Sequence, residues 1–110
     1  MAAAADGFRI ESSLDDGAVR LRLHGELDAA TAPVLESGLS AAAGDGADQV
    51  ILDCANLEFI DSSGLSVLVA NHKRLQDKGK ELIVEAAPPG ALRLFEIAGI
   101  DRVLNIRNGR

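Results

Sequence analysis

Gln49-Val50-Ile51-Leu52-Asp53 places three branched aliphatic residues in succession with nothing polar between them. A strand with one wet face alternates apolar and polar residues; this run does not, so it reads as a central strand covered on both faces or nearly so. The segments on either side carry a different period. Before the run, Val34, Leu35, Leu39 and Ala42 fall on one face of a helix; after it, Leu65, Leu68, Val69, His72 and Leu75 do the same. A buried strand between two amphipathic helices requires an α/β arrangement in which the strands joined through helices run parallel, with right-handed crossovers.

The remaining elements follow from local signals. Phe8-Arg9-Ile10-Glu11-Ser12 and Val19-Arg20-Leu21-Arg22-Leu23-His24 alternate about an Asp15-Asp16-Gly17 turn and predict an antiparallel hairpin. Thr31 stands as the N-cap of the first helix, with Pro33 in its first turn and Gly44 at its end. Gly79 closes the second helix, where Lys73, Arg74 and Lys78 complement the negative end of the helix dipole. Glu81–Ala86 reads as a strand, and Pro88-Pro89-Gly90 opens a short helix with Ala91, Leu94, Phe95 and Ala98 on its apolar side. Arg102–Ile106 reads as a last short strand. The expected fold is one mixed, mostly parallel sheet of four or five strands packed with three or four helices. Residues 1–7 are expected to form a frayed tail, and residues 8–110 a single domain.

Composition narrows the functional classes. The 110 residues include no Trp, no Tyr and three Phe, so the core is expected to be aliphatic, which argues against an aromatic platform for stacking bases. Seventeen acids against eleven bases give a net charge of −6, and residues 1–55 alone carry ten acids and three bases. Phosphate binding needs clustered positive charge, so nucleic acid is not an expected partner. An acidic half suits a basic protein surface; plain solubility is the other reading. The single cysteine, Cys54, forms no internal disulfide. No apolar run reaches the roughly 20 residues of a membrane span, and Met1–Gly7 lacks the basic start and apolar stretch of a secretion signal. The expected location is the cytoplasm, with no membrane contact.

The densest polar cluster is Asp61-Ser62-Ser63-Gly64, where the second helix begins. Three capping-type residues in a row mark a helix start, and one would suffice for a cap. Gly64, in the first turn, costs about 0.5–1 kcal/mol relative to Ala, which points to close approach of another backbone or a ligand. Cap and functional site both remain open on these grounds. A hydroxyl at a helix N-terminus is suited to carry a phosphate, whose charge of about −1.5 to −2 would add to that of Asp61, Glu58 and Asp28. Enzyme patterns are absent: no nucleophile elbow, no phosphate-binding glycine loop and no dinucleotide fingerprint occurs. His24 and His72 have no local partners, and His72 lies on an apolar stripe as a packed ring. Asp28, Asp53 and Asp61 could ligate a metal only if the fold brought them together; turn and cap roles are the expectation, with no metal and no cofactor.

Phe59-Ile60-Asp61-Ser62-Ser63-Gly64-Leu65, preceded by Val50-Ile51-Leu52-Asp53, resembles the signature of STAS domains, and Gly25-Glu26-Leu27-Asp28 matches the family's first motif upstream. The similarity extends from Phe8 to Ile106 and is greatest to stand-alone anti-sigma factor antagonists of the SpoIIAA and RsbV type. The resemblance implies a phospho-switch rather than an enzyme. The unphosphorylated protein binds an anti-sigma factor that is also a serine kinase and frees the sigma factor. Phosphorylation of the serine matching Ser62 releases the partner, and a PP2C-type phosphatase resets the cycle. Glu26, Asp28, Asp61, Ser63 and Gly64 match positions at or near that serine and are the expected partner-binding residues. The family also contains accessory or scaffold subunits of lipid-transport and stressosome type, which work without such a switch.

Overall fold

The computed structural model describes residues 2–5, 7–44 and 46–107, residues 2–5 as backbone. Six strands form one sheet: β1 (Ala2–Ala5), β2 (Phe8–Asp15), β3 (Ala18–Leu27), β4 (Gln49–Ile60), β5 (Glu81–Glu85) and β6 (Asn105–Arg107). Three helices connect them: α1 (Ala32–Ala43), α2 (Ser62–Asp77) and α3 (Pro89–Ile97), the last followed by a single 3-10 turn, Ile100–Arg102. The order across the sheet is the order along the chain. β1–β2 and β2–β3 are antiparallel; β3–β4, β4–β5 and β5–β6 are parallel.

Five strands and three helices match the elements expected from sequence. The sixth strand, β1, lies within the segment expected to fray: Ala2–Ala5 pairs antiparallel with Phe8–Glu11 as an edge strand. A run of alanines has no alternation that could mark it as a strand. The C-terminal strand begins at Asn105 rather than Arg102, because Ile100–Arg102 spends its backbone bonds on a 3-10 turn.

The sequential strand order has a consequence that the run at Val50–Leu52 does not reveal. Strands stepping always in one direction through right-handed crossovers carry all their helices to one face. Val19, Leu21, Leu23, Val50, Leu52, Leu82 and Val84 accordingly join Leu35, Leu39, Leu65, Leu68, Leu75 and Phe95 in one aliphatic core. Among the described residues the opposite face has no helix. Ile51 therefore does not lie under a second layer; with Ala18 and Ile83 it forms a thin apolar strip within a charged surface. Arg20 on β3 reaches over β4 to Glu85 on β5 (2.8 Å) and also meets Asp53 (3.4 Å), so its stem lies across the strip. Ile51 and Ile83 are 9% and 0% exposed although no helix covers them.

β4 is twelve residues long, continuing through Ala55–Ile60 beyond the apolar run. Its register against β3 shifts twice, between Arg22 and His24 and between Gly25 and Glu26, each time with one extra residue on β4. The two irregularities replace alternation by a spacing of three, with Cys54, Leu57 and Ile60 buried and the pairs between them exposed. α2 ends as expected at Gly79: its φ of 73° permits the Gly79 N–H to reach the Gln76 carbonyl (3.0 Å) and the Lys80 N–H the Leu75 carbonyl (2.8 Å). α1 is clamped to α2 by a buried asparagine, Asn71, which donates to Glu36 (3.0 Å) while Arg74 pairs with Glu36 (2.9 Å).

Candidate functional site

The parallel pairing of β3 and β4 ends at Leu27 opposite Ile60, and the Asp61 N–H donates to the Leu27 carbonyl (3.1 Å). This register brings the two separate motifs, Gly25–Asp28 and Phe59–Gly64, to the same end of the sheet. Both chains then leave the sheet through an aspartate. Asp61 caps α2: its Oδ1 accepts from the N–H groups of Ser63 (2.9 Å) and Gly64 (3.3 Å). Asp28 plays the corresponding part before α1, its Oδ1 accepting from the N–H groups of Ala30 (3.0 Å) and Thr31 (3.1 Å). Thr31 occupies the N-cap position of α1 but makes no side-chain cap bond. Its buried hydroxyl accepts from the Asp28 N–H (2.9 Å) and donates to the Glu26 carbonyl (2.8 Å), tying the loop back to β3.

Ser62 is the first residue of α2 and is exposed. Its hydroxyl has no hydrogen bond among the described residues. Because Asp61 already occupies the Ser63 and Gly64 N–H groups, a phosphate on Ser62 cannot use them without displacing the cap. The modification would stand outside the helix end as added charge beside a carboxylate. Ser63 is half-buried.

Gly64 is buried, and a Cβ there would lie 2.8 Å from Ile60 Cγ1 and from Leu27 Cγ and Cδ2. The glycine serves the close seating of α2 on the sheet. Glu26 and Glu58 are exposed and form no ion pair among the described residues. Glu58 sits at the second irregularity of β4, next to Phe59, which is 51% exposed.

The other candidates are dispersed. Asp53 lies on the open face of the sheet with Arg20, away from Asp28 and Asp61, and among the described residues no group of three metal-ligating side chains converges. His72 is ten positions up α2 from Ser62, roughly 15 Å along the axis, too far to take its proton. It is half-buried, with Nδ1 buried and unpartnered. His24 is engaged with Glu11 (2.8 Å). Cys54 is buried, which pushes its thiol up to about 12 and leaves it unreactive at neutral pH.

A shallow, open depression beside Ser62 has no counterpart in the sequence pattern. Ser62, Leu65, Ser66, Val69 and Ala70 on α2 face Ala98 and Ile100 across an apolar trough of about 480 Å³. Its two walls are some thirty residues apart in the chain. The only local trace is the spacing of Ser62, Ser66 and Ala70, small residues four apart along one exposed side of α2.

A six-stranded sheet with helices on one face and a serine at the capped start of the second helix defines a class. The family profile described as "Mlab, STAS domain" matches residues 10–106, and the chain belongs to the STAS family. Among curated proteins it is 32% identical over 102 residues to the anti-sigma-B factor antagonist of Staphylococcus aureus, covering 93% of this chain and 94% of that protein. Among solved structures it is similar to an anti-sigma factor antagonist from Mycobacterium paratuberculosis, with a TM-score of 0.86, 28% identity and coverage of 97% and 91% of the two chains. The fold is also that of SpoIIAA, at TM-score 0.75 and 23% identity in its unphosphorylated form, covering 90% of this chain and 88% of that one.

Proposed function

We propose that this STAS domain is an anti-sigma factor antagonist whose binding is switched by phosphorylation of Ser62. Unphosphorylated, it binds an anti-sigma factor that is also a serine kinase, and the sigma factor is freed. The kinase moves the terminal phosphoryl group of ATP to Ser62 Oγ; the hydroxyl proton is lost, the P–O bond to ADP breaks, and the phosphoprotein dissociates. A PP2C-type phosphatase hydrolyses the phosphoester and restores the serine. In this scheme the chain is a substrate and a ligand rather than a catalyst, and it acts in the cytoplasm.

The observation that carries this reading is the exposed, unbonded hydroxyl of Ser62 beside a cap that is already complete. A structural cap serine would spend its oxygen on the helix end; this one is left for a partner or a kinase. The named function of the S. aureus relative, which matches over nearly the whole chain, supports the same reading. Glu26, Asp28, Glu58 and Asp61 lie at the same end of the sheet as the serine, and a partner surface shaped for a neutral hydroxyl would have to desolvate the added dianion, so phosphorylation opposes docking. A loss of about 4 kcal/mol would weaken the complex about a thousandfold.

The test is phosphorylation by the cognate kinase with ATP, with the site mapped by mass spectrometry. Phosphate is expected on Ser62 and absent from Ser62→Ala. Full modification of Ser62→Ala would move the site elsewhere. Ser62→Glu should lose partner binding; retained binding would favour instead the accessory or scaffold role found elsewhere in the family.

A further inference from the structure

We infer that the free edge of β4 beside Ser62 takes up an extended segment of the partner as an added strand, with one aliphatic side chain of that segment seated between β4 and the start of α3. This rests on the partner-binding reading of Ser62 and says how that partner is held. β4 runs from Gln49 to Ile60, yet β5 pairs with it only as far as Asp53. From residue 54 onward β4 keeps β3 on one side and, among the described residues, has no strand on the other. The chain that leaves β5 turns away from this edge. Ala86 adopts a φ of 55°, in the left-handed region, and its N–H donates to the Arg107 carbonyl (3.3 Å), toward β6. Pro88 and Pro89 follow, and neither has an N–H to give β4. The Pro88 carbonyl accepts from the Leu92 N–H (3.0 Å) as α3 begins.

Beside the edge lies a slot of about 90 Å³, with residues 57–60 on one wall and Pro88, Gly90 and Ala91 on the other. Its occupant is selected by what the walls offer. A strand edge presents a row of N–H and C=O groups that another extended backbone pairs with. A helix spends its own groups internally, and an acyl chain has none. The start of α3 stands across the slot, so the edge is recessed and admits a single chain rather than the edge of a second sheet. The slot has room for one aliphatic side chain, and residues 57–60 extend over about 13 Å, the length of a four-residue strand. Phe59, 51% exposed, and Glu58, exposed without an ion pair among the described residues, stand on this stretch, so apolar and basic side chains suit the flanks of the anchor. Asp61 and Ser62 follow Ile60 directly, and the added strand ends where a phosphate on Ser62 would stand.

The probe is a short synthetic peptide with blocked ends, alternating valine and threonine between terminal lysines, titrated into the isotope-labelled full chain and followed by NMR. Shift changes should centre on residues 56–60, and amide exchange there should slow at least tenfold with the peptide bound. N-methylation of every second peptide amide removes the donors along one edge of the extended chain. One of the two alternately methylated versions should bind at least tenfold more weakly, the other as well as the parent. Gly90→Leu should also weaken binding at least tenfold, because position 90 lines the slot from an exposed site where a Cβ meets nothing within 4 Å. Ala41→Leu, an exposed change on α1, should leave binding unaltered.

No shift changes at millimolar peptide, or shifts centred on α2 or on the open sheet face, would overturn the assignment. So would equal binding by both methylated versions or by the Gly90→Leu variant, which shows contact without strand pairing. Concentration-dependent shifts at residues 56–60 without peptide would overturn it as well, making the edge a contact between copies. The assay uses no kinase. Peptide held at the β4 edge while Ser62 resists phosphorylation would refute the switch alone; a protein phosphorylated on Ser62 whose unmodified form takes no peptide at β4 would refute the added strand alone.

Discussion

Replacing Gly64 by alanine separates two explanations for a glycine in the first turn of a helix. If it were merely tolerated there, alanine would stabilise α2 by up to about 1 kcal/mol through helix propensity. The structure predicts the opposite sign. The new methyl carbon would lie 2.8 Å from Ile60 Cγ1, Leu27 Cγ and Leu27 Cδ2, about 1 Å inside ordinary carbon contact. Leu27 is 0% exposed and its Cγ is not a free end, so it cannot swing aside. Overpacking of this kind costs about 1–3 kcal/mol, and three simultaneous contacts, two of them against the fixed Leu27 side chain, place it toward the upper end. Net of the propensity gain, the loss is about 1–2 kcal/mol, or roughly 5–15 °C in Tm for a domain of this size. The control is Gly90→Ala in α3, where a Cβ meets nothing within 4 Å and the same substitution should stabilise. Thermal unfolding followed by circular dichroism of the two variants reads both signs. A Gly64→Ala protein as stable as the wild type would refute the packing argument and return this glycine to the partner surface.

Asp61→Ala removes the cap from the Ser63 and Gly64 N–H groups and should cost about 1 kcal/mol in urea unfolding, with Asn at this position recovering most of it. Arg20→Ala should cost about 1–2 kcal/mol, since it uncovers Ile51 and Ile83 and leaves Asp53 and Glu85 facing each other. Arg20→Met keeps the stem and should recover part of the loss; equal stability of the wild type and Arg20→Ala would show that the bridge over β4 contributes nothing. Cys54 should react with a thiol reagent at pH 8 only as fast as the protein opens. Its thiol is held at about 12 in the fold against 9.0 for an unperturbed one, so the associated stability is full below pH 9 and is lost as pH rises toward 12; rapid native-state labelling would contradict its burial.

The helices and most strands were legible because their signals are local. The Thr31-Ala32-Pro33 start, the Gly79 stop and the alternation in β2 and β3 each lie within a few residues of the feature they specify. The second half of β4 was not legible, because two one-residue irregularities turn alternation into a spacing of three that matches neither strand nor helix. The site was half legible. Asp61-Ser62 identified itself as a helix start with residues to spare. Asp28 spends its carboxylate on its own turn, a local arrangement that its residue type alone does not distinguish from a binding role; that Gly64 is sealed against the sheet required the neighbours Leu27 of β3 and Ile60 of β4.

The sequence by itself determined the α/β class, the polar end of β4 and the serine at the start of α2, since each is written in the period and chemistry of a continuous segment. Tertiary structure alone decided which faces those segments share. The strand order sends every helix to one side, so Ile51 is shielded by an arginine bridge instead of a second layer. The parallel register of β3 and β4 joins two motifs more than thirty residues apart. The groove beside Ser62 exists because α2 and the Ala98–Ile100 segment pack as neighbours, and proximity between distant segments is a property of the folded chain that no local pattern encodes.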